Sequence, residues 1–111
     1  MPFVVDVSKV KLNEEGAYKN SKGNTECVVF IQQAPLLGGG SVPGTNDWRK
    51  GKYVKGLTAA EIAKGTVIAT FDETDRYPST ARHAAVYISQ DANGITVYDQ
   101  WNSQKMVKQR V

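Results

Sequence analysis

The chain has 111 residues, 41% hydrophobic and 23% charged, the proportions of one soluble domain (1–111) and too few for a second independent core. Fourteen Lys and Arg against eleven Asp and Glu give a net charge of +3, an excess that favours anionic surroundings without choosing among them. One cysteine excludes an internal disulfide and fits folding in a reducing cytoplasm, and no apolar run approaches the ~20 residues of a membrane helix.

The opening MPFVVDVSKV lacks the basic-then-apolar layout of a secretory signal, so none is expected. Phe3 to Val7 reads as a short strand or docking arm. KNSKGN, Lys19 to Asn24, is turn-rich, and TECVVFIQQ then carries helix signals. Asn24 or Thr25 can cap, Glu26 falls in the first turn, and Pro35 ends the helix near Gln33 or Ala34. LLGGGSVPGTND, Leu36 to Asp47, is expected to be a long loop. Thr58 and Glu61 have capping-box spacing, which predicts a helical turn within Leu57 to Lys64.

The rest reads as β. Thr66–Phe71, His83–Ser89 and Ile95–Trp101 are rich in β-branched and apolar residues, and Asn93-Gly94 between the last two suits a tight hairpin. One helix followed by an antiparallel meander defines an α+β domain.

The only cysteine, Cys27, opens the helix, and the only histidine, His83, opens a strand. Asp99 sits on an otherwise apolar strand face with Ile95 and Val97, where a carboxylate needs a partner. A hairpin at Ala92–Gly94 brings His83 and Asp99 to the same open end. The three residue types then have complementary work. The helix start favours a thiolate at Cys27, His83 moves the proton, and Asp99 orients the imidazole, with Gln100 and Asn102 as alternatives for that last task. The Cys27 backbone N–H is a candidate oxyanion donor. A lone cysteine is by default a small buried hydrophobe, and the later histidine is what shifts the reading to catalysis.

TECVVFIQ, IAKGTVIATF, RHAAVYIS and GITVYDQW, taken in that order, resemble the papain-like NlpC and CHAP groups of bacterial cysteine peptidases and amidases. HAAVYISQDANGITVYDQW is similar to a compact subfamily, some of whose relatives are thought to be amidase toxins injected into rival cells by type VI secretion. The resemblance covers about residues 17–102. It implies a papain-like core with a catalytic helix packed on a small antiparallel sheet. It also implies cleavage of an amide bond in peptidoglycan by Cys27, His83 and Asp99, with no cofactor and no metal. The expected substrate-contacting side chains are Tyr18, Glu26, Trp48, Arg82 and Trp101, with Arg76 and Tyr77 in the loop bordering the cleft. A cognate inhibitor protein is the implied partner, and action in a target cell's periplasm without membrane insertion is the implied location. Glu26-Cys27-Val28 departs from the usual Asp-Cys-Ser or Gln-Cys, which leaves a second oxyanion donor unidentified.

The alternative reading is a non-catalytic module for nucleic acid or another anionic surface, built on WRKGKYVK and KMVKQRV and indifferent to Cys27. One Cys and one His supply half a tetrahedral metal site, and GGGS lacks the ending of a phosphate loop.

Overall fold

A computed structural model describes residues 3–45, 48, 54–58, 60–71, 77 and 83–111. Among them are one α-helix, α1 (Cys27–Gln33), and four strands, β1 (Val67–Ala69), β2 (Ala84–Asp91), β3 (Gly94–Asp99) and β4 (Lys108–Arg110). The strands form one antiparallel sheet in the order β1-β2-β3-β4. No helix among the described residues is long and apolar enough to cross a membrane.

The helix has the expected end but not the expected cap. Glu26 is the N-cap and makes no side-chain capping bond, whereas Thr25 turns its hydroxyl away to the carbonyls of Trp101 and Asn102. Ala34 is extended (φ −64°, ψ 143°), as a residue before proline must be. Seven residues are too few for a helix that is stable by itself, so α1 persists through burial. Phe30 and Ile31 have no exposure, and the Phe30 ring lies 5.1 Å from that of Tyr18. The helix packs on β2, whose first four residues are all buried. Ala84 and Ala85 are small enough there to let a helix approach closely.

The expected N-terminal strand is reduced to two isolated bridges, Val4 with Thr66 and Val5 with Leu36, followed by a 3-10 turn at Val7–Lys9. This arm threads between the start of β1 and the segment after α1. Thr58 and Glu61 do meet, the Glu61 carboxylate accepting from the Thr58 amide and hydroxyl, but they close only a turn.

β2 and β3 are joined at Ala92-Asn93, with Asp91 opposite Gly94, and the positive φ falls on Gly94 (+140°). The register shifts between Tyr87 and Ser89, where β2 carries one extra residue. β4 was not foreseen. KMVKQRV, read from the sequence as a basic surface segment, is anchored by fully buried Val107 and pairs with β3. The second basic segment, WRKGKYVK, falls mostly outside the described residues.

Gly65 is closely surrounded by backbone. Its N–H donates to the Tyr87 carbonyl at 2.7 Å and its carbonyl accepts from Val5 at 2.7 Å, at a φ of +97° that side chains disfavour. A Cβ there would collide with the Val5 carbonyl oxygen. Gly65→Ala is expected to cost about 2 kcal/mol or more, read as a lowered urea midpoint at unchanged m-value.

Candidate active site

Two ties fix the chain just before Cys27. Thr25 Oγ1 donates to the carbonyls of Trp101 (3.2 Å) and Asn102 (3.4 Å), and Gln100 Nε2 donates to the carbonyl of Glu26 (2.9 Å). All three partners lie at the exit of β3, next to Asp99. The sulfur-bearing residue is therefore set against the strand end that carries the carboxylate, across more than seventy residues of sequence.

The β2 bulge sets the histidine. Extended by one residue, the Val86–Tyr98 register places Ala85 opposite Asp99, so His83, two residues from Ala85, lies on the face that Asp99 occupies. The Asp91–Gly94 register continued without the bulge would place Val86 there and turn His83 to the other face. His83 Nε2 is 2.6 Å from Asp99 Oδ2. With Nε2–H donating to the carboxylate, Nδ1 is the ring nitrogen left for the thiol. Cys27 and His83 lie near enough for each to shift the other's ionisation.

Asp99 has no solvent exposure, and a buried carboxylate stays charged only with donors around it. It has two cationic partners. Besides His83, Arg110 of β4 reaches it with Nε at 2.9 and 2.8 Å from the two oxygens and Nη2 at 2.6 Å from Oδ2. The Arg110 guanidinium also lies 4.9 Å over the Trp101 ring. Nη2 comes within 3.5 Å of His83 Nε2, a contact of two donors, tolerable because the carboxylate faces both.

These contacts account for the ionisation of each group. Burial of Asp99 alone would raise its pKa, but the hydrogen bonds from His83 and Arg110, with their charges, bring it below the usual carboxylate value. His83 is pushed up to about 9, first by its bond to Asp99 and then by its bond to Cys27, against the opposing effect of burial. Burial would likewise raise Cys27. The His83 bond, the Ala84 backbone N–H, the Tyr77 hydroxyl and the nearby imidazolium charge together bring it down. The thiol is half-buried rather than enclosed, and its Sγ is 3.7 Å from the Tyr77 hydroxyl. This arrangement keeps the imidazole protonated at neutral pH and favours ionisation of the thiol beside it, with a carboxylate behind.

The other expected residues fall in different places. Tyr18 is buried, its hydroxyl accepting from the Lys11 amide at 3.0 Å. Trp48 is also buried; its ring meets that of Tyr77 edge-on at 4.8 Å, and its indole N–H donates to the Pro43 carbonyl. It thus backs the tyrosine that touches Cys27. Glu26 accepts a long 3.4 Å bond from Asn20, and Trp101 is exposed under Arg110. Arg76 and Arg82 lie outside the described residues. Gln100 contacts the Tyr18 and Glu26 carbonyls and not the imidazole, and the Asn102 carbonyl receives Thr25. Arg110 and the Ala84 amide were missed. Lys108-Gln109-Arg110 is too short and too polar to announce a strand, and only the need of a buried Asp99 for a cation hinted at an arginine. Among the described residues no group of three or more His, Cys, Asp or Glu is placed to hold a metal ion.

The α+β fold is shared with known proteins. Residues 4–111 match the Domesticated amidase effector 2 family, and the chain belongs to it. It is similar to the type VI secretion amidase effector 2 protein of Salmonella typhi, with 40% identity over 91% of this chain and 68% of that protein. Domesticated amidase effector 2 of Ixodes scapularis is 33% identical over 78% of this chain and 57% of its own length. The solved structure of Type 6 secretion amidase effector 2 superposes with a TM-score of 0.69 and 31% identity, covering 93% of this chain and 73% of that one.

Two measurements test the site's electrostatics. Iodoacetamide is expected to label Cys27 well below pH 9, and His83→Ala to move the labelling midpoint upward by at least about one pH unit, since it removes the main donor to the thiolate. Asp99 has a lowered pKa, so its contribution to stability is present above the unfolded value near 3.8 and lost as pH falls through the lower folded value. Arg110→Ala brings that folded value back up. Because Arg110 is about half exposed and solvent screens it, the expected cost is about 1–2 kcal/mol at neutral pH, with the acid-unfolding midpoint moved to higher pH.

Proposed function

We propose that the chain is a papain-like cysteine amidase domain, spanning 1–111, that hydrolyses an amide bond in peptidoglycan stem peptides or cross-links and acts as an antibacterial effector. The observation that carries this reading is His83 held 2.6 Å from the buried carboxylate of Asp99 through Nε2, beside a half-buried Cys27 thiol whose ionisation it favours. Membership of an amidase effector family supports the choice of an amide as the bond cut.

The Cys27 thiolate attacks the scissile carbonyl carbon while the oxygen gathers negative charge, and the Cys27 N–H donates to that oxygen. His83, already an imidazolium, gives its proton to the leaving nitrogen, so the amine departs neutral and a thioester remains on Cys27. Neutral His83 then takes a proton from water, whose oxygen attacks the thioester; the carboxylic product leaves and the thiolate–imidazolium pair is restored. Asp99 keeps Nε2–H as the donor throughout and holds the ring in plane, and Arg110 keeps Asp99 from neutralising itself.

Peptidoglycan as substrate implies delivery to a target cell's periplasm by type VI secretion, and a producing cell then requires a cognate inhibitor protein. The reading as an anionic-surface module is weakened where it touches described residues, because Arg110 of KMVKQRV is committed to Asp99.

The pH profile follows from the site. Activity is expected to rise as Cys27 ionises at its lowered pKa and to fall as His83 loses its proton near pH 9, giving a bell. Directed to a bacterial periplasm, the wild-type chain is expected to lyse cells, and Cys27→Ala to leave them intact while accumulating to the same level. Lysis by both, or by neither, would sink the amidase reading.

A further inference from the structure

Gln100 is fully buried, and its position is hard to account for by packing alone. Its Nε2 donates to two backbone carbonyls, Tyr18 and Glu26, each at 2.9 Å, while its Oε1 meets no partner among the described residues. A methionine would fill similar space without leaving a buried acceptor unmatched. What only an amide supplies is the grip on those two carbonyls. One of them belongs to the peptide that joins Glu26 to Cys27.

That peptide is planar and trans, so its C=O and its N–H point in opposite directions. The Glu26 carbonyl receives the Val29 N–H of the first helical turn at 3.1 Å and Gln100 at 2.9 Å, which occupies both of its lone pairs from inside the protein. The Cys27 N–H is thereby turned away from the interior. It belongs to the same residue as the sulfur, which the Tyr77 hydroxyl contacts at 3.7 Å, so donor and thiol lie on one short, held segment. Accepting two bonds at the carbonyl also polarises the same peptide's N–H and strengthens it as a donor.

We propose that Gln100 is a positioning residue of the Cys27 site, clamping the Glu26–Cys27 peptide so that the Cys27 N–H faces the oxygen of the carbonyl under attack. The proposal rests on the reading of Cys27 as a nucleophile. It assigns Gln100 a task separate from that of its neighbour Asp99. Asp99 acts through His83 on the proton, and Gln100 acts through the backbone on the developing oxyanion. The groups that lower the Cys27 pKa are His83, the Ala84 N–H and Tyr77, and the Cys27 N–H is not among them. The two functions are therefore separable by experiment.

The test compares wild type with Gln100→Met, Gln100→Glu and Cys27→Ala, measuring turnover of saturating soluble peptidoglycan fragments and the rate of iodoacetamide labelling against pH. Gln100→Met is expected to lower turnover about 30-fold or more, in line with a loosened oxyanion donor, while labelling stays within about threefold of wild type at the same pH midpoint. Gln100→Glu keeps the shape and, as a neutral acid, one hydrogen to donate; its turnover is expected to be intermediate at low pH and to fall as the acid ionises, a limb the wild type lacks. Turnover of Gln100→Met equal to wild type overturns the proposal. So does a parallel loss of turnover and labelling, which would make Gln100 a packing element only. If Gln100→Met does not fold, the Gln100→Glu limb decides: its presence supports the clamp and its absence overturns it. Undiminished turnover by Cys27→Ala is a different result, for it removes the nucleophile reading and the clamp with it.

Discussion

A carboxylate with no contact with water sits at the end of β3, and much of the site is arranged around keeping it charged. Removing Asp99 from solvent costs several kcal/mol that two cationic partners must offset. His83 comes from the start of β2 and Arg110 from β4, so the carboxylate joins strands that flank β3 on both sides. The consequence for His83 is a pKa near 9, which keeps it protonated at neutral pH. This same pair makes stability depend on pH in both directions. The His83 contribution is fully present below its unfolded value of about 6.5 and is lost as pH rises through about 9, whereas the Asp99 contribution is lost on the acid side.

Around that carboxylate the fold uses short elements held by long-range bonds. A seven-residue helix with no side-chain cap has little stability of its own. It is held by Phe30 and Ile31 in the core and by the ties from Thr25 and Glu26 to residues 100–102. Those ties place the thiol within reach of an imidazole carried by a different element. The end of β3 gathers these ties: Asp99 binds His83, Gln100 binds the Tyr18 and Glu26 carbonyls, and the carbonyls of Trp101 and Asn102 share the Thr25 hydroxyl. A small domain gains from this economy, because one strand end registers both Cys27 and His83.

The aromatic residues divide along similar lines. Tyr18 and Trp48 invite a reading as substrate platforms, yet burial makes them supports: Tyr18 under Phe30, Trp48 behind Tyr77. Tyr77, which stood out in the sequence only as part of a loop, brings its hydroxyl to the sulfur. Its bond to the thiolate is one of the causes of the lowered Cys27 pKa. An aromatic ring in a glycine-rich neighbourhood has no orientation until its packing partner is known, and that partner is distant in sequence.

The sequence by itself determined the α+β class, the helix ending before Pro35, the β2–β3 hairpin at Asn93-Gly94 and the candidate trio of Cys27, His83 and Asp99. Each of these rests on local chemistry: proline's restriction of its predecessor, turn-forming residues, alternation, and the rarity of thiol, imidazole and inward-facing carboxylate in so short a chain. Only the tertiary structure decided that the cap is Glu26, that Lys108–Arg110 is a strand, and that Arg110 is the second partner of Asp99. It also decided that Gln100 grips the peptide joining Glu26 to Cys27. The reason is the same in each case. Pairing of β4, the bulge that turns His83 onto the face of Asp99, and the bonds across more than seventy residues are set by which segments meet in space, and no local pattern of residue types encodes that meeting.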